Sequence, residues 1–160
     1  MKSTIQQVRI TDLARIITDR MNCGRLTAAT YISTENMQPN FGGVVGAASL
    51  PTTAVTSFQQ SDILISNIRP YFKKIWFATF GGGCSTDVIC LRVTSADCLP
   101  KYLFYQLNAD NFIDTFVASS KGTKMPRGDK QALLEYKFYL PSLAEQSHIV
   151  DTKCKLVVAV

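Results

Sequence analysis

The chain has 160 residues, 46% of them hydrophobic and 10% aromatic, with 17 Lys and Arg against 12 Asp and Glu, a net charge of +5 and a pI near 9.0. That length suits one domain with a substantial core, and the hydrophobic content excludes a disordered chain. No apolar run is long enough for a transmembrane helix and Met1-Lys-Ser-Thr-Ile-Gln-Gln lacks the apolar core of a signal peptide, so a cytoplasmic location is expected.

The five cysteines (Cys23, Cys84, Cys90, Cys98, Cys154) are odd in number, irregularly spaced and without a Cys-x-x-Cys pair. They are expected as reduced structural thiols, with no zinc or redox role.

In chain order, Val8 and Ile10 alternate with Arg9 as a short strand, and Asp12 is placed to cap a helical turn through Leu13, Ala14 and Ile16. A strand over 31–34 precedes a loop over 35–46, marked by Asn36, Pro39, Asn40, Gly42 and Gly43. Weak alternation over 52–56 predicts another strand. Ser61-Asp62 is a turn, and residues 63–68 form an apolar strand that ends at Arg69-Pro70, because proline has no N–H for the ladder.

Tyr71-Phe-Lys-Lys-Ile-Trp-Phe then sets aromatics beside lysines, and no carboxylate occurs between Asp62 and Asp87. Arg69, Lys73 and Lys74 are thus a locally unopposed basic cluster, while Trp76 and Phe77 are assigned to packing. Gly81-Gly-Gly83 lacks the Lys-Ser/Thr ending of a phosphate loop and the spacing of a dinucleotide fingerprint, so it predicts a turn or bulge entering a strand over 87–93.

A helix follows from Pro100, with Leu99, Leu103 and Leu107 on one face, and a second starts at Asp110, carrying Phe112, Ile113, Phe116 and Val117. Next comes Ser119-Ser-Lys-Gly-Thr-Lys-Met-Pro-Arg-Gly128, too polar and too rich in Gly and Pro for a helix or strand interior. Lys121, Lys124 and Arg127 alternate there with Ser119, Ser120 and Thr123, the groups that hold phosphate. A solvated basic connection is the plainer alternative. Asp129 can cap a short helix with Leu133 and Leu134, and Tyr136, Phe138 and Leu140 alternate as a closing strand ended by Pro141.

Ser142-Leu-Ala-Glu145 is a capping box opening a terminal helix. Leu143, Ser147, Val150, Cys154 and Val157 have the spacing of a coiled-coil seam, which is expected to pack on this domain, a second copy or a partner. Leu143, Val150, Cys154 and Val157 are the candidate partner-helix residues. Simple docking of the helix on its own domain is the competing expectation.

Chemistry is expected to be absent. The single histidine, His148, lies on the terminal helix away from any activated thiol, and Asp62, Asp87, Asp97, Asp110 and Asp114 are scattered rather than clustered for a metal. No catalytic residue, metal ligand or cofactor is assigned.

The order of these features resembles a target recognition domain of the specificity subunit of type I restriction–modification enzymes. The matching residues are Ser61-Asp-Ile-Leu-Ile-Ser66 with Ile68-Arg-Pro-Tyr71, Cys84-Ser-Thr-Asp87, Tyr102-Leu-Phe-Tyr-Gln-Leu107, the basic loop, and Leu140-Pro-Ser-Leu-Ala-Glu-Gln146, spanning about residues 12–150. The resemblance implies a non-catalytic subunit that reads a half-site of double-stranded DNA and docks methyltransferase and restriction nuclease subunits, any S-adenosylmethionine belonging to the methyltransferase. It implies a mixed α/β (α+β) fold in which loops and strands grip DNA, followed by a helix joining two such domains.

From residues and resemblance together, the expectation is a loop-rich mixed β-sheet domain with helices over 1–141, and the start of a connecting or dimerisation helix over 142–160. With one recognition domain only, the chain is expected to be a half-subunit or a truncated gene product. Arg69, Lys73, Lys74, Ser120, Lys121, Thr123, Lys124 and Arg127 are the candidate DNA-binding set. Asn36, Gln38 and Asn40 are candidate base readers, since amides can pair with adenine edges; an ordinary hairpin loop is the alternative there. A protein-interaction module that docks a methyltransferase or a second specificity copy without reading DNA is the competing function.

Overall fold

A computed structural model describes residues 5–158, with side chains described to residue 156. The elements are β1 (Gln6–Arg9), α1 (Ile10–Leu13), β2 (Ala14–Ile16), β3 (Arg20–Met21), β4 (Tyr31–Ile32), β5 (Val55–Phe58), β6 (Ile63–Ser66), β7 (Ile75–Phe77), β8 (Gly82–Cys84), β9 (Val88–Val93), α2 (Pro100–Leu107), α3 (Asp110–Ala118), α4 (Lys130–Glu135), β10 (Lys137–Leu140) and α5 (Leu143–Val158). Short 3-10 turns occupy Cys23–Arg25 and Pro70–Phe72.

The apolar run Ile63-Leu-Ile does not alternate with polar residues because both faces of its sheet are covered. The order of this antiparallel sheet is β2-β9-β6-β7, with Leu64 opposite Cys90 on one side and Trp76 on the other. Ile63, Ile65, Ile75, Ile89 and Leu91 point to a core shared with Leu103, Leu107, Phe112, Phe116 and Leu133 of the helices. The intervening Leu64, Trp76, Val88 and Cys90 point the other way, against Ile32, Phe58 and Cys84 of a second sheet. The molecule is therefore layered as helices, antiparallel sheet and second sheet, the mixed α/β fold expected.

The second sheet, β3-β5-β8-β4, has a parallel β4–β8 pair and antiparallel pairs elsewhere. Its inner strand β8 is the glycine run expected to form a turn or bulge. A Cβ on Gly82 would lie 2.1 Å from the Thr30 carbonyl oxygen, and one on Gly83 2.6 Å from Val55 Cγ2. Glycine is used for the close approach of neighbouring strands, against its ordinary strand propensity. β3 also escaped sequence reading, since two residues carry no periodicity.

The buried polar side chains that pin the sheet and α5 are hydrogen-bonded, whereas the buried Asn67 Oδ1 and Asn108 Oδ1 have no partner. Asp62, 1% exposed, accepts two hydrogen bonds from the Arg92 guanidinium at 2.8 Å, one from the Gln59 N–H at 2.9 Å, and one from the Cys90 thiol at 3.3 Å. The turn residue thus anchors the central sheet. Asp129 Oδ1 accepts the Gln131 N–H at 2.9 Å and caps α4, while Ser142 Oγ accepts the Glu145 N–H at 3.3 Å at the start of α5.

α5 docks on its own domain. Gln146 is wholly buried: its Oε1 accepts the Leu99 N–H at 2.8 Å, and its Nε2 donates to the carbonyls of Asp97 at 2.8 Å and Pro141 at 2.9 Å. Val150 packs on the helical core and Cys154 Sγ lies 3.4 Å from Tyr105 Oη of α2. The inward stripe is Gln146, Val150 and Cys154, rather than the seam expected to start at Leu143, which is 45% exposed. Two of the candidate partner-helix residues are therefore taken up by the domain itself, because a buried amide that satisfies three backbone groups outweighs an apolar register. The side chain of Val157 lies outside the described residues. No described helix is long and apolar enough to cross a membrane.

Two stability changes are expected. Gln146→Leu leaves the Leu99 N–H and two carbonyls without partners and should lower unfolding free energy by about 3 kcal/mol, measured by urea titration. Gly128→Ala should cost about 1–3 kcal/mol in the same titration, since its Cβ would fall 2.3 Å from the Phe116 ring of α3.

Candidate nucleic-acid interface

Two basic segments about fifty residues apart in sequence lie side by side. The Arg69 N–H donates to the Pro126 carbonyl at 2.7 Å, the Gly128 N–H donates to the Asn67 carbonyl at 3.1 Å, and Ile68 bridges Arg127 in antiparallel fashion. Lys121 and Arg127 exchange two backbone bonds of 2.9 Å, closing the loop that carries Lys124 and Met125. Gly122, at φ +105°, makes the reversal possible. The basic loop is thus an ordered hairpin docked on the end of the central sheet, not a free connection.

A third segment joins them. The N–H groups of Asn40 and Phe41 donate to the carbonyls of Phe72 and Lys73, each at 2.9 Å, and Lys74 Nζ donates to the Thr34 carbonyl at 2.7 Å. The result is a cleft of about 330 Å³ lined by residues of all three segments, including Glu35, Arg69, Phe72, Lys74, Asp87 and Met125.

The backbone here is strained. Non-glycine residues with positive φ are Asn40 (55°), Phe41 (58°), Arg69 (49°) and Lys73 (55°), with Ser61 (76°) the other among the described residues. Each such residue costs about 1–2 kcal/mol, so a fold keeps them where the surroundings over-determine them. Arg69 lines the cleft, and Asn40, Phe41 and Lys73 lie in the paired segments that border it.

Arg69, Lys73, Lys74, Lys121, Lys124 and Arg127 all contribute to this one region. Lys121, Lys124 and Thr123 are exposed, while Lys73 and Lys74 are half-buried. Arg69 Nη2 donates to the Lys124 carbonyl at 3.3 Å, and Arg127 Nη2 lies 3.5 Å from Asp87 Oδ1 in an exposed pair. These contacts orient both guanidinium groups without burying them.

One expected site residue is corrected. Asn36 is 3% exposed, and its amide donates to the Tyr31 and Val45 carbonyls and accepts from the Ser33 N–H and hydroxyl. It holds the loop together and cannot reach a base. Ser120 donates its hydroxyl proton to the Val117 carbonyl at 2.6 Å at the C-terminal end of α3. Asn40 stays exposed and Gln38 half-buried, both near the cleft through the loop they share.

Sequence reasoning overlooked the exposed apolar residues of this region. Tyr71 and Phe72 are 47% and 41% exposed, and Met125 is 45% exposed. The available signal was Arg-Pro-Tyr-Phe-Lys-Lys, where proline and three cations leave no strand to bury the rings.

All five cysteines are free, and burial pushes the thiols up, to about 12 for Cys84 and about 11 for Cys98, with Cys90 also raised by burial. These three stay protonated and inert. No group of metal-ligating side chains occurs among the described residues.

Comparison with known proteins accords with this geometry. The chain is 30% identical over 129 residues to the Type I restriction enzyme EcoDI specificity subunit of Escherichia coli, covering 75% of this chain and 28% of that protein. In fold it is similar to the HsdS subunit from Thermoanaerobacter tengcongensis, with a TM-score of 0.76 and 21% identity over 95% of this chain and 41% of that one. A type I restriction–modification system S subunit from M. genitalium gives a TM-score of 0.62 and 16% identity, over 94% of this chain and 38% of that one. The chain thus spans about a quarter to two-fifths of the length of these relatives. Residues 2–152 match the family described as Type I restriction modification DNA specificity domain, and with nearly the whole chain inside that match, it belongs to this family.

Proposed function

We propose that this domain binds double-stranded DNA through the cleft and its basic rim, reading a half-site for partner methyltransferase and nuclease subunits without catalysing a reaction itself. The observation that carries the reading is the backbone pairing of 67–69 with 126–128, which assembles cations from both segments on one surface. Cations gathered on one surface favour a polyanionic partner. Family membership supports the same conclusion.

Charge placement suggests a division of labour. Lys121, Lys124 and Lys73 suit phosphate contacts, which position a protein on the duplex. Glu35 and Asp87 line the cleft and would repel phosphate, so the cleft is better suited to base edges. Exposed Asn40 is the stronger amide candidate for reading them, with Gln38 beside it. Residues 1–141 serve as the recognition domain in this reading, and the helix from 142 onward connects it to the rest of the assembly. S-adenosylmethionine would be bound by the methyltransferase, not by this chain.

Replacing Lys121, Lys124 and Arg127 with Ala should weaken binding to a random-sequence duplex pool and flatten the salt dependence by about 0.9 in log–log slope per lost phosphate contact. Fluorescence anisotropy over a salt series measures both; unchanged affinity would remove this loop from the interface. Lys73→Gly separates folding from binding. Relief of the left-handed strain should keep stability or raise it by up to about 1 kcal/mol in urea, while duplex affinity falls.

A further inference from the structure

Phe72 is the one phenylalanine of the described residues that is exposed rather than buried or half-buried. Single exposed apolar side chains are ordinary, but here exposed Phe72 and Met125 line one cleft together with Arg69 and Lys74, and exposed Tyr71 packs beside Phe72. They are also rigidly presented. The 3-10 turn Pro70–Phe72 is anchored by buried Pro70 and packs against α3, and left-handed residues at both ends, Arg69 and Lys73, turn the chain sharply into and out of it. The Tyr71 and Phe72 rings meet edge-on with centroids 4.9 Å apart, and Lys74 Nζ sits 5.7 Å from the Phe72 ring centroid.

We propose that Phe72, braced by Tyr71 and flanked by Met125, is an apolar wedge that stacks on a base and opens one step of the bound duplex. The inference rests on the DNA-binding reading above and adds a mode of selection to it. Flanking cations place the rings against the duplex, where an apolar side chain entering a step partly unstacks it and bends the helix. Pyrimidine–purine steps open most cheaply, so the wedge would favour one at its position without any hydrogen bond to a base. The same patch on a protein partner would gain nothing from the surrounding cations unless that partner were acidic.

The test uses the whole chain and a random-sequence duplex pool. Phe72→Ala and, separately, Tyr71→Ala are compared with the parent for affinity, salt slope and thymine reactivity to permanganate, with circular dichroism melting to verify the fold. Phe72→Ala should lose about 5- to 150-fold in affinity, the range of one aromatic–base stack, with the salt slope unchanged because no charge is removed. Permanganate-reactive thymines present with the parent should disappear. Phe72→Trp should keep the affinity and show fluorescence quenching on binding, above the background of buried Trp76. A folded Phe72→Ala variant that binds like the parent, or a parent complex without reactive thymines, overturns the wedge and leaves the DNA-binding reading standing. A parent chain that does not retain duplex at all overturns both.

Discussion

The backbone pairing between 67–69 and 126–128 is the constraint on which the rest of the surface depends. Arg69 and Arg127 would not be drawn together by charge, since like charges a few ångströms apart repel by about 1–4 kcal/mol at surface dielectric values. Main-chain hydrogen bonds from Arg69 and Gly128 hold the two segments in register regardless of side-chain charge. The Phe116 ring against Gly128 fixes how closely the loop can approach, and Asp87 offsets part of the Arg127 charge. An ordered basic hairpin results, with the Arg69 and Arg127 guanidinium groups oriented by the Lys124 carbonyl and Asp87.

That hairpin needs a rigid edge to dock on, and the central sheet supplies it. Because β6 sends Ile63 and Ile65 to the helical core and Leu64 to the second sheet, slipping its register by one residue would exchange the two cores. The buried Asp62–Arg92 pair ties the turn before β6 to β9. Removing one partner of such a pair leaves a buried charge without compensation, a loss of about 3–5 kcal/mol. The segment after β6 therefore emerges from the most strongly determined part of the molecule.

The strained residues connect this stability to function. Asn40, Phe41, Arg69 and Lys73 hold left-handed conformations that a loop free to relax would abandon. Hydrogen bonds from Asn40 and Phe41 to the Phe72 and Lys73 carbonyls keep them there. The strained segments border a cleft lined by charges of both signs, Glu35 and Asp87 together with Arg69 and Lys74. In the proposed reading, a uniformly basic patch would hold only the backbone of any duplex, whereas a lining of mixed charge would leave room for base edges.

By itself the sequence determined the local elements whose signals are short-range: the apolar strand expected over 63–68, of which the structure keeps Ile63–Ser66, proline at the first turn of α2, the Asp129 cap of α4, and the polar loop from Ser119. It also showed which residue types could bind DNA. It could not show that Asn36 turns inward, because the Tyr31 and Val45 carbonyls it meets are brought near by the folded loop, and it misread Gly82 and Gly83, whose role is defined by Thr30 in the turn before β4 and by Val55 on β5. The inward face of α5 was likewise set by Gln146 meeting orphaned groups at Leu99 and Asp97, not by apolar spacing. Only the tertiary structure decided that the three polar segments meet at one cleft with Phe72 and Met125 in its lining. The physical reason is that long-range backbone hydrogen bonds depend on position and not on side-chain type, so they leave no periodicity to read.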